Sequence, residues 1–389
     1  MESNRKEKIL RIMKNRFCWD DNLVIEKKHK FAQLILIFIQ IMARHSSYVS
    51  FACVCVLLIQ SSFVLGVRAT NSSSLPFFDH VIIIMMENTG RANITEHASE
   101  MPFINELIKT KMYASHYHGY TNPSLPNYIA ITAGSNYWSF SDDPNQTFPH
   151  TNIADLLENK GMTWKNYAQH LPSVGFLGSF YPDNSSDALY VKKHTPFALY
   201  PQITENATRV RNIVPYSHLM TDLANGSLPN YSFITPDVCQ DMHGQSGNLC
   251  PYSNLTLLWT QGDKFVRDCI TNITSSKIWQ STNSAIFLTW DQSDYDGNKS
   301  TDGWEYVTAG PDSPVLKPGT KLLPAGGVYG GGPVPLVVMW SKQPNKTMVS
   351  TRTSNHLNTL KTILEAWDLP LIGYTSDKQQ VESFREFFQ

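Results

Sequence analysis

The chain has 389 residues, of which 42% are hydrophobic and 12% are aromatic. This composition excludes an intrinsically disordered protein and indicates one large folded domain or two domains of average size. The net charge of -1, without a basic patch interleaved with aromatic residues, argues against nucleic acid as a partner and gives no sign of binding to an anionic membrane surface.

The N-terminal region has the features of a targeting segment. The chain from Met42 begins with a short basic stretch, continues as the apolar run Tyr48–Leu65, and reaches small residues of a cleavage site at Val67–Ala69. We therefore predict a secretory signal peptide at 42–69. We predict that translation starts at Met42, or that residues 1–41 are an unusual N-terminal extension if it starts at Met1. A membrane anchor formed by the same apolar run is the alternative.

Secretion predicts N-linked glycans, and the chain carries many Asn-x-Ser/Thr acceptor sequences. They begin at Asn71, Asn93, Asn145, Asn184, Asn206, Asn225, Asn230, Asn254, Asn272, Asn298 and Asn345. Downstream of the signal peptide there are three cysteines, which allow at most one disulfide and one free thiol. We expect Cys239–Cys250, which closes a short loop, with Cys250–Cys269 as the second choice.

The rest of the chain alternates apolar runs, typical of buried strands, with segments of helical periodicity. In chain order we predict a strand at 80–86, helices at 101–112, 127–134 and 152–160, a strand at 164–168, a helix at 210–223, a strand at 231–235, a helix at 265–279, strands at 284–290 and 334–340, and a helix at 355–367. Residues 169–209 are interpreted as a long surface excursion near the site, and 326–332 as a flexible glycine-rich loop. This alternation predicts an α/β three-layer sandwich around a mostly parallel central sheet, with 70–389 as a single domain.

One stretch, Asn122–Tyr128, places a serine in a stiff position. Pro123 and Pro126 restrict the backbone around Ser124, which precedes the predicted helix that ends at Gly134. Backbone N–H groups at the start of a helix suit an anionic substrate. We therefore interpret this stretch as a candidate site for an anionic substrate, with a plain proline-rich turn as the alternative.

Polar residues collect where the predicted strands end, and in open α/β sheets ligands bind beyond the carboxyl ends of strands. These residues are Glu87 and Asn88, then Asp237, Asp241 and His243, then Asp291 and Gln292, and finally His356 after the last strand. Acidic residues at strand ends can also cap the following helix, and a single histidine is often structural. Residues 294–297 resemble the start of a calcium loop but lack its distal glutamate, so we predict a turn.

These segments together resemble a known family. Glu87–Asn88 after an apolar strand, Asn122–Tyr128, Pro236–Gly244, Thr289–Gln292 and Asn355–His356 occur in that order. The pattern resembles the phosphoesterase family of acid phosphatases and nonspecific phospholipases C, within the alkaline-phosphatase-like superfamily. The resemblance covers residues 78–373 and implies that residues 70–389 form one phosphoesterase catalytic domain with an alkaline-phosphatase-like fold.

The resemblance also implies roles for individual residues. Ser124 would be the nucleophile and form a phosphoserine, while His243 and His356 would contact the phosphoryl group or protonate the leaving oxygen. The implied ligands of a divalent metal ion of unknown identity are Glu87, Asn88, Asp291 and Gln292, and the weaker substrate-binding candidates are Asn127, Asp241 and His118. The family usually has a glutamate at the position of Gln292, so the site has one negative charge fewer.

The resulting expectation is a secreted, glycosylated, metal-dependent acid phosphatase that acts on small phosphorylated substrates without stable membrane association. A phospholipase C-type phosphodiesterase is the first alternative. The related phospholipases carry additional C-terminal β domains, whereas this sequence ends soon after the helix at His356, which favours soluble monoesters. The second alternative is a non-catalytic secreted glycoprotein of the same fold.

Overall fold

The structure is a computed structural model and describes residues 75–182, 186–293, 330–378 and 381–389. Several predictions concern other parts of the chain. The extension 1–41, the signal peptide 42–69, the acceptor sequences at Asn71, Asn184 and Asn298, the turn at 294–297 and the first part of the glycine-rich loop lie outside the described residues.

Eight strands form the main sheet in the described part of the chain, in the order β11-β2-β10-β9-β1-β8-β4-β7. They are β1 His80–Met86, β2 Met112–Ala114, β4 Trp164–Ala168, β7 Ile213–Pro215, β8 Tyr231–Thr235, β9 Ser284–Trp290, β10 Leu336–Trp340 and β11 Met348–Ser350. Two small ladders pair β3 Tyr117–His118 with β12 Ser354–Asn355 and β5 Phe180–Tyr181 with β6 Tyr190–Val191.

The helices of the described residues flank this sheet. They are α1 Arg91–Glu96, α2 Pro102–Thr110, α3 Ser124–Ala133, α4 Ile153–Asn159, α5 Pro201–Thr204, α6 Ser217–Asn225, α7 Leu255–Ser275, α8 Lys277–Ser281 and α9 His356–Ala366. Single 3-10 turns occur at Lys192–His194, Pro196–Leu199, Arg209–Asn212, Gly373–Ser376 and Arg385–Phe388. None of these helices is long and apolar enough to cross a membrane.

The central strand β1 is the apolar run identified in the sequence, and it lies between β8 and β9, parallel to both. Six of its seven residues are buried, as expected of a strand covered on both faces. Strand β10 runs antiparallel to β9 and to β2, so the sheet is mixed but mostly parallel. The predicted α/β class and sheet type are confirmed.

Packing on the two faces of the sheet gives three layers. Phe233 of β8 and Trp290 of β9 point to opposite faces, because their partners on β1 are three residues apart. The ring of Phe233 contacts that of Tyr128 in α3. Trp290 donates from its indole nitrogen to the sulfur of Met242, which lies against Gly262 of α7. Helices therefore cover both faces of the sheet, as predicted.

Most predicted elements are present with nearly the expected bounds. The strands at 80–86, 164–168, 231–235 and 284–290 match the structure, and so do the helices at 152–160 and 355–367 to within a residue at either end. The preferred disulfide Cys239–Cys250 is formed, and Cys269 is a buried free thiol.

Several predicted boundaries were wrong for local reasons. The helix placed at 101–112 ends at Thr110, because Lys111 is extended and Met112 begins β2. The helix placed at 210–223 is instead a 3-10 turn, the strand β7 and α6, since Pro215 is unsuited to a helix interior. Helix α7 begins at Leu255 rather than at 265, because Asn254 caps it.

The segment 169–209 is not a surface excursion along its whole length. Its second half turns inward, and the run from His194 to Tyr200 is buried. The ring of Phe197 packs against Trp164 and Phe233, so this stretch is part of the core. This inward turn brings His194 to the end of the sheet where the candidate site lies.

Candidate active site

Ser124 is the first residue of α3 rather than part of the loop before it. Asn127 fixes that loop: its side-chain oxygen accepts hydrogen bonds from the backbone N–H groups of Tyr120 and Thr121, at 2.8 and 2.9 Å. Its side-chain nitrogen donates to the backbone oxygens of Thr121 and Pro123. All of these contacts are with the chain itself, so Asn127 positions the serine loop and does not face the site.

Glu87 follows β1 directly, and its carboxylate accepts hydrogen bonds from two hydroxyl groups of α3. Ser124 donates from Oγ to Glu87 Oε2 at 2.8 Å, and Tyr128 donates from its phenol to Oε1 at 2.8 Å. All three side chains are buried. The carboxylate therefore lies beside the candidate nucleophile and is oriented by the phenol of Tyr128.

The ends of β1 and β9 meet because the two strands are parallel neighbours. The backbone N–H of Asn88 donates to Asp291 Oδ1 at 3.0 Å, and Gln292 donates from Nε2 to Asn88 Oδ1 at 2.8 Å. Asp291 Oδ2 and Gln292 Oε1 are buried and have no hydrogen-bond partner among the residues the structure describes. The side chains of Asn88 and Gln292 are thus hydrogen-bonded to each other. All four predicted metal ligands lie at this edge of the sheet, and they are Glu87, Asn88, Asp291 and Gln292.

His194, absent from the sequence-based candidates, lies between two carboxylates. Its Nε2 is 3.2 Å from Glu87 Oε1, and its Nδ1 is 3.1 Å from Asp241 Oδ2. Neither contact has the alignment of a hydrogen bond, so both ring nitrogens and Asp241 Oδ2 lack such a partner within the described chain. The ring stacks on Tyr128, with centroids 5.3 Å apart. His194 is therefore held as a lining residue of the site.

His243 is on the more open side of the cluster. Its backbone N–H donates to Asp241 Oδ1 at 2.7 Å, and its Nδ1 donates to the backbone oxygen of Gly244 at 2.7 Å. Its Nε2 accepts from Lys193 Nζ at 3.2 Å, and the same ammonium donates to Asp142 Oδ2 at 2.7 Å. These contacts fix the ring so that Nε2 is directed toward the site.

Burial governs the charge state of this cluster. It raises the pKa of Glu87, with the nearby Asp291 and Asp241 raising it further, and it raises the pKa of Asp241. It also raises the pKa of Asp291, to about 7. Burial and the charge of Lys193 lower the pKa of His243 to about 3. Buried carboxylates with so little positive charge around them require a cation to remain ionised together.

The residues of the cluster fit a divalent metal ion. One ligand atom each from Glu87, His194 and His243 lies within 4.8 Å of the other two. Asp241 and Asp291 each contribute a buried carboxylate oxygen without a hydrogen-bond partner among the described residues. Carboxylate oxygens and neutral imidazole nitrogens are the usual ligands of zinc, iron and manganese. The predicted ligand Glu87 belongs to this group, and the two histidines extend it.

His356 does not face the site, because both of its ring nitrogens are occupied. It donates from Nε2 to the backbone oxygen of Asp291 at 2.7 Å, and its Nδ1 accepts from the phenol of Tyr117 at 2.9 Å. Burial lowers its pKa to about 4. His118 lies one strand further away in the β3–β12 ladder, and no hydrogen bond or ion pair in the described structure joins it to Ser124. His356 therefore supports Asp291 from outside the site.

Comparison with known proteins agrees with the residue patterns. Residues 96–370 match the model of the Phosphoesterase family. A probable acid phosphatase of Kluyveromyces lactis is 34% identical over 169 residues, which are 43% of this chain and 39% of that protein. A phosphatidylinositol-3-phosphatase of Mycobacterium tuberculosis is 25% identical over 308 residues, which are 79% of this chain and 82% of that protein. The chain covers between 39% and 54% of the length of the fungal acid phosphatases that it matches.

This chain is similar, with a TM-score of 0.51, to the solved structure of a Bacteroides thetaiotaomicron protein. That structure was described in connection with the metabolism of multiple glycosaminoglycans. The sequences are 10% identical, and the match covers 80% of this chain and 82% of that one. At this level of identity the similarity concerns the fold alone.

Proposed function

This chain belongs to the phosphoesterase family, and on that premise we propose that it is a metal-dependent phosphoric ester hydrolase that acts on phosphomonoesters as an acid phosphatase. The observation that carries the proposal is the hydrogen bond from Ser124 Oγ to Glu87 Oε2 at the start of α3. It joins a hydroxyl nucleophile, a carboxylate and a helix N-terminus in one buried place, and these are the groups that phosphoryl transfer needs.

The attack begins at Ser124. As its Oγ forms a bond to phosphorus, the hydroxyl proton passes to Glu87 Oε2, along the hydrogen bond already present. The bond from phosphorus to the ester oxygen breaks, the proton held by Glu87 passes to that oxygen, the alcohol leaves, and Ser124 carries the phosphoryl group. Water then attacks this phosphoserine, one of its protons passes through Glu87 to Ser124 Oγ, and inorganic phosphate is released from the restored serine. Tyr128 keeps the Glu87 carboxylate in place throughout, through its hydrogen bond to Oε1.

The acidic and imidazole groups beside Ser124 would hold the divalent cation. Glu87, His194 and His243 are the proposed ligands, with Asp241 and Asp291 as the neighbouring carboxylates. To bind the cation, His243 Nε2 would give up the hydrogen bond that it accepts from Lys193. A cation bound there supplies positive charge that stabilises the phosphoryl oxygens and lowers the pKa of the serine hydroxyl. Because its low pKa keeps His243 neutral at mildly acidic pH, this side chain suits the role of ligand better than that of proton donor.

We further propose that the protein is secreted and glycosylated. The disulfide Cys239–Cys250 is consistent with an oxidising compartment. Most glycan acceptor sequences in the described residues have an exposed asparagine, and these are Asn145, Asn206, Asn225, Asn254, Asn272 and Asn345. Attachment of glycans at these positions would disturb no buried contact.

The proposed activity is tested by hydrolysis of p-nitrophenyl phosphate at mildly acidic pH, with Ser124→Ala as the decisive variant. Ser281→Ala is the matched control, because Ser281 is at the far end of α8 and is not part of the site. We expect the wild-type protein and the control to be active and Ser124→Ala to lose at least about a thousandfold in rate. Full activity of Ser124→Ala would refute the serine mechanism.

The same assay separates the alternatives. Bis-p-nitrophenyl phosphate and phosphatidylcholine are offered beside the monoester, and preference for either diester would favour a phospholipase C-type phosphodiesterase. Absence of turnover with every ester, in the presence of added divalent metals, would favour a non-catalytic protein of the same fold.

A further inference from the structure

Lys193 lies on the solvent-facing side of the site and has no role in the reaction proposed above. Ser124 and Glu87 are essentially inaccessible, whereas the side chains of Lys193 and Asp142 are 15% and 35% exposed. Among the described residues, this pair and His243, which is also partly exposed, therefore form part of the solvent-facing side of the site.

Two contacts fix the ammonium group of Lys193. It donates to Asp142 Oδ2 at 2.7 Å and to His243 Nε2 at 3.2 Å. The other oxygen of Asp142 accepts from the backbone N–H of Leu125, in the first turn of α3, at 2.9 Å. Asp142 thereby ties the lysine to the helix end that carries Ser124, so the position of the ammonium relative to the nucleophile is set by the fold.

The ammonium group has one N–H left over. It carries three donors, two of which have the partners just given, and the third has no partner among the described residues. Its charge attracts all three buried carboxylates of the cluster, Glu87, Asp241 and Asp291. A cation directed into a site with a spare donor is suited to an anionic ligand atom.

We propose that Lys193 is a substrate-binding residue that donates this third N–H to a terminal oxygen of a phosphate monoester and so favours monoesters over diesters. The inference rests on the proposed function and adds the residue that selects the substrate class. A monoester offers three terminal oxygens and up to two negative charges, whereas a diester offers two such oxygens and one charge. A fixed ammonium therefore stabilises the bound monoester more strongly.

The test compares Lys193→Met with Lys193→Arg and with Lys192→Met. Lys192 is the matched control, because it belongs to the same 3-10 turn and makes no side-chain hydrogen bond or ion pair in the described structure. For each variant kcat/KM is measured with p-nitrophenyl phosphate and with bis-p-nitrophenyl phosphate. Binding of inorganic phosphate is measured by calorimetry in the Ser124→Ala background, and metal content by elemental analysis.

For Lys193→Met we expect kcat/KM for the monoester to fall by about ten- to a hundredfold, the loss of one charged hydrogen bond, and to fall much less for the diester. Phosphate binding should weaken by a similar factor at unchanged metal content. Lys193→Arg should recover part of the loss because it retains the charge, and Lys192→Met should behave like the wild type.

Equal losses for the two esters, or unchanged phosphate binding in Lys193→Met, would overturn the proposal, as would a parallel loss of metal. The proposed function can fail separately. A wild-type protein that hydrolyses neither ester would refute the hydrolase assignment, while phosphate binding that depends on Lys193 would still support the binding role of this residue.

Discussion

His356 donates a hydrogen bond from Nε2 to the main-chain oxygen of Asp291 and thereby joins the first residue of α9 to the end of β9. The carboxylate of Asp291 in turn accepts a hydrogen bond from the backbone N–H of Asn88. The carboxylate is thus held in place through its own backbone by a histidine that faces away from the site.

Replacing His356 with alanine should lower both activity and stability. The change leaves the Asp291 oxygen and the Tyr117 phenol without their buried partner, which costs about 2 kcal/mol of the free energy of unfolding. We expect kcat to fall by roughly tenfold because Asp291 is less well positioned. Urea unfolding and steady-state kinetics check both effects. Tyr117→Phe should cost less, and full activity of His356→Ala would exclude the positioning role.

Tyr128→Phe isolates the second hydrogen bond to Glu87. The ring still stacks on His194, so we expect a change of only about 1 kcal/mol in the free energy of unfolding. The Glu87 carboxylate loses its phenol donor, and kcat should fall by about tenfold while KM stays near its original value. A rise in KM without a change in kcat would contradict this account.

If the proposed cation is bound, its removal should destabilise the protein. A chelator takes away an ion bound by the folded state alone, so the melting temperature of the wild type should fall by several degrees, and added zinc or manganese should restore it. The double variant Glu87→Gln/His194→Ala should melt at the same temperature with and without chelator. An identical response of the two proteins would place the metal elsewhere.

Asp222 makes a contribution to stability that depends on pH. Burial alone would raise its pKa, but hydrogen bonds from Lys165, Tyr167 and Ser227 outweigh burial, so the pKa is lowered. Because the folded pKa lies below the unfolded one, the stabilisation is full above the unfolded value, near 4, and is lost as pH falls through the folded value. Asp222→Asn should cost about 2 kcal/mol at pH 7 and progressively less in acid.

The measurement is the free energy of unfolding by urea as a function of pH, for the wild type and Asp222→Asn. The difference between the two curves should shrink below about pH 4. A difference that stays constant down to pH 2 would show that the effect comes from packing rather than from the charge.

Glycan attachment should spare Asn230. Its side-chain nitrogen donates to the backbone oxygen of Asp79, and its side-chain oxygen accepts from Thr163, so the amide is committed to internal contacts. Mass spectrometry of the protein secreted from a eukaryotic host should find glycans at the exposed Asn145 and Asn272 but none at Asn230. An occupied Asn230 would contradict the observed packing of this residue.

The sequence was sufficient for those parts of the site that follow buried strands. Glu87 and Asp291 come directly after continuous apolar runs, and the parallel pairing of those runs brings the two residues together. His194 was missed because it is on a 3-10 turn inside an irregular segment. Its position depends on the packing of Phe197 into the core, which no local periodicity reveals. The signal for His194 that the sequence does offer is the pair Lys192-Lys193, directly before the run from His194 to Tyr200.

The role of His356 could not be read from the sequence for a different reason. A histidine after the last strand is compatible with a side chain directed to substrate or to the protein interior. The choice depends on which groups meet its two ring nitrogens, and those groups, Tyr117 and Asp291, come from distant parts of the chain.

The contact between Gln292 and Asn88 spans 204 positions of the sequence, and Asn88 N–H to Asp291 spans 203. These two hydrogen bonds join the ends of a segment that contains most of the described chain. Ser124 and His194 lie within that segment. Bringing such distant positions together is costly in chain entropy, and no short fragment contains both partners of these hydrogen bonds. The reactive centre therefore depends on the pairing of β1 with β9, and a fragment that lacks either strand also lacks the site.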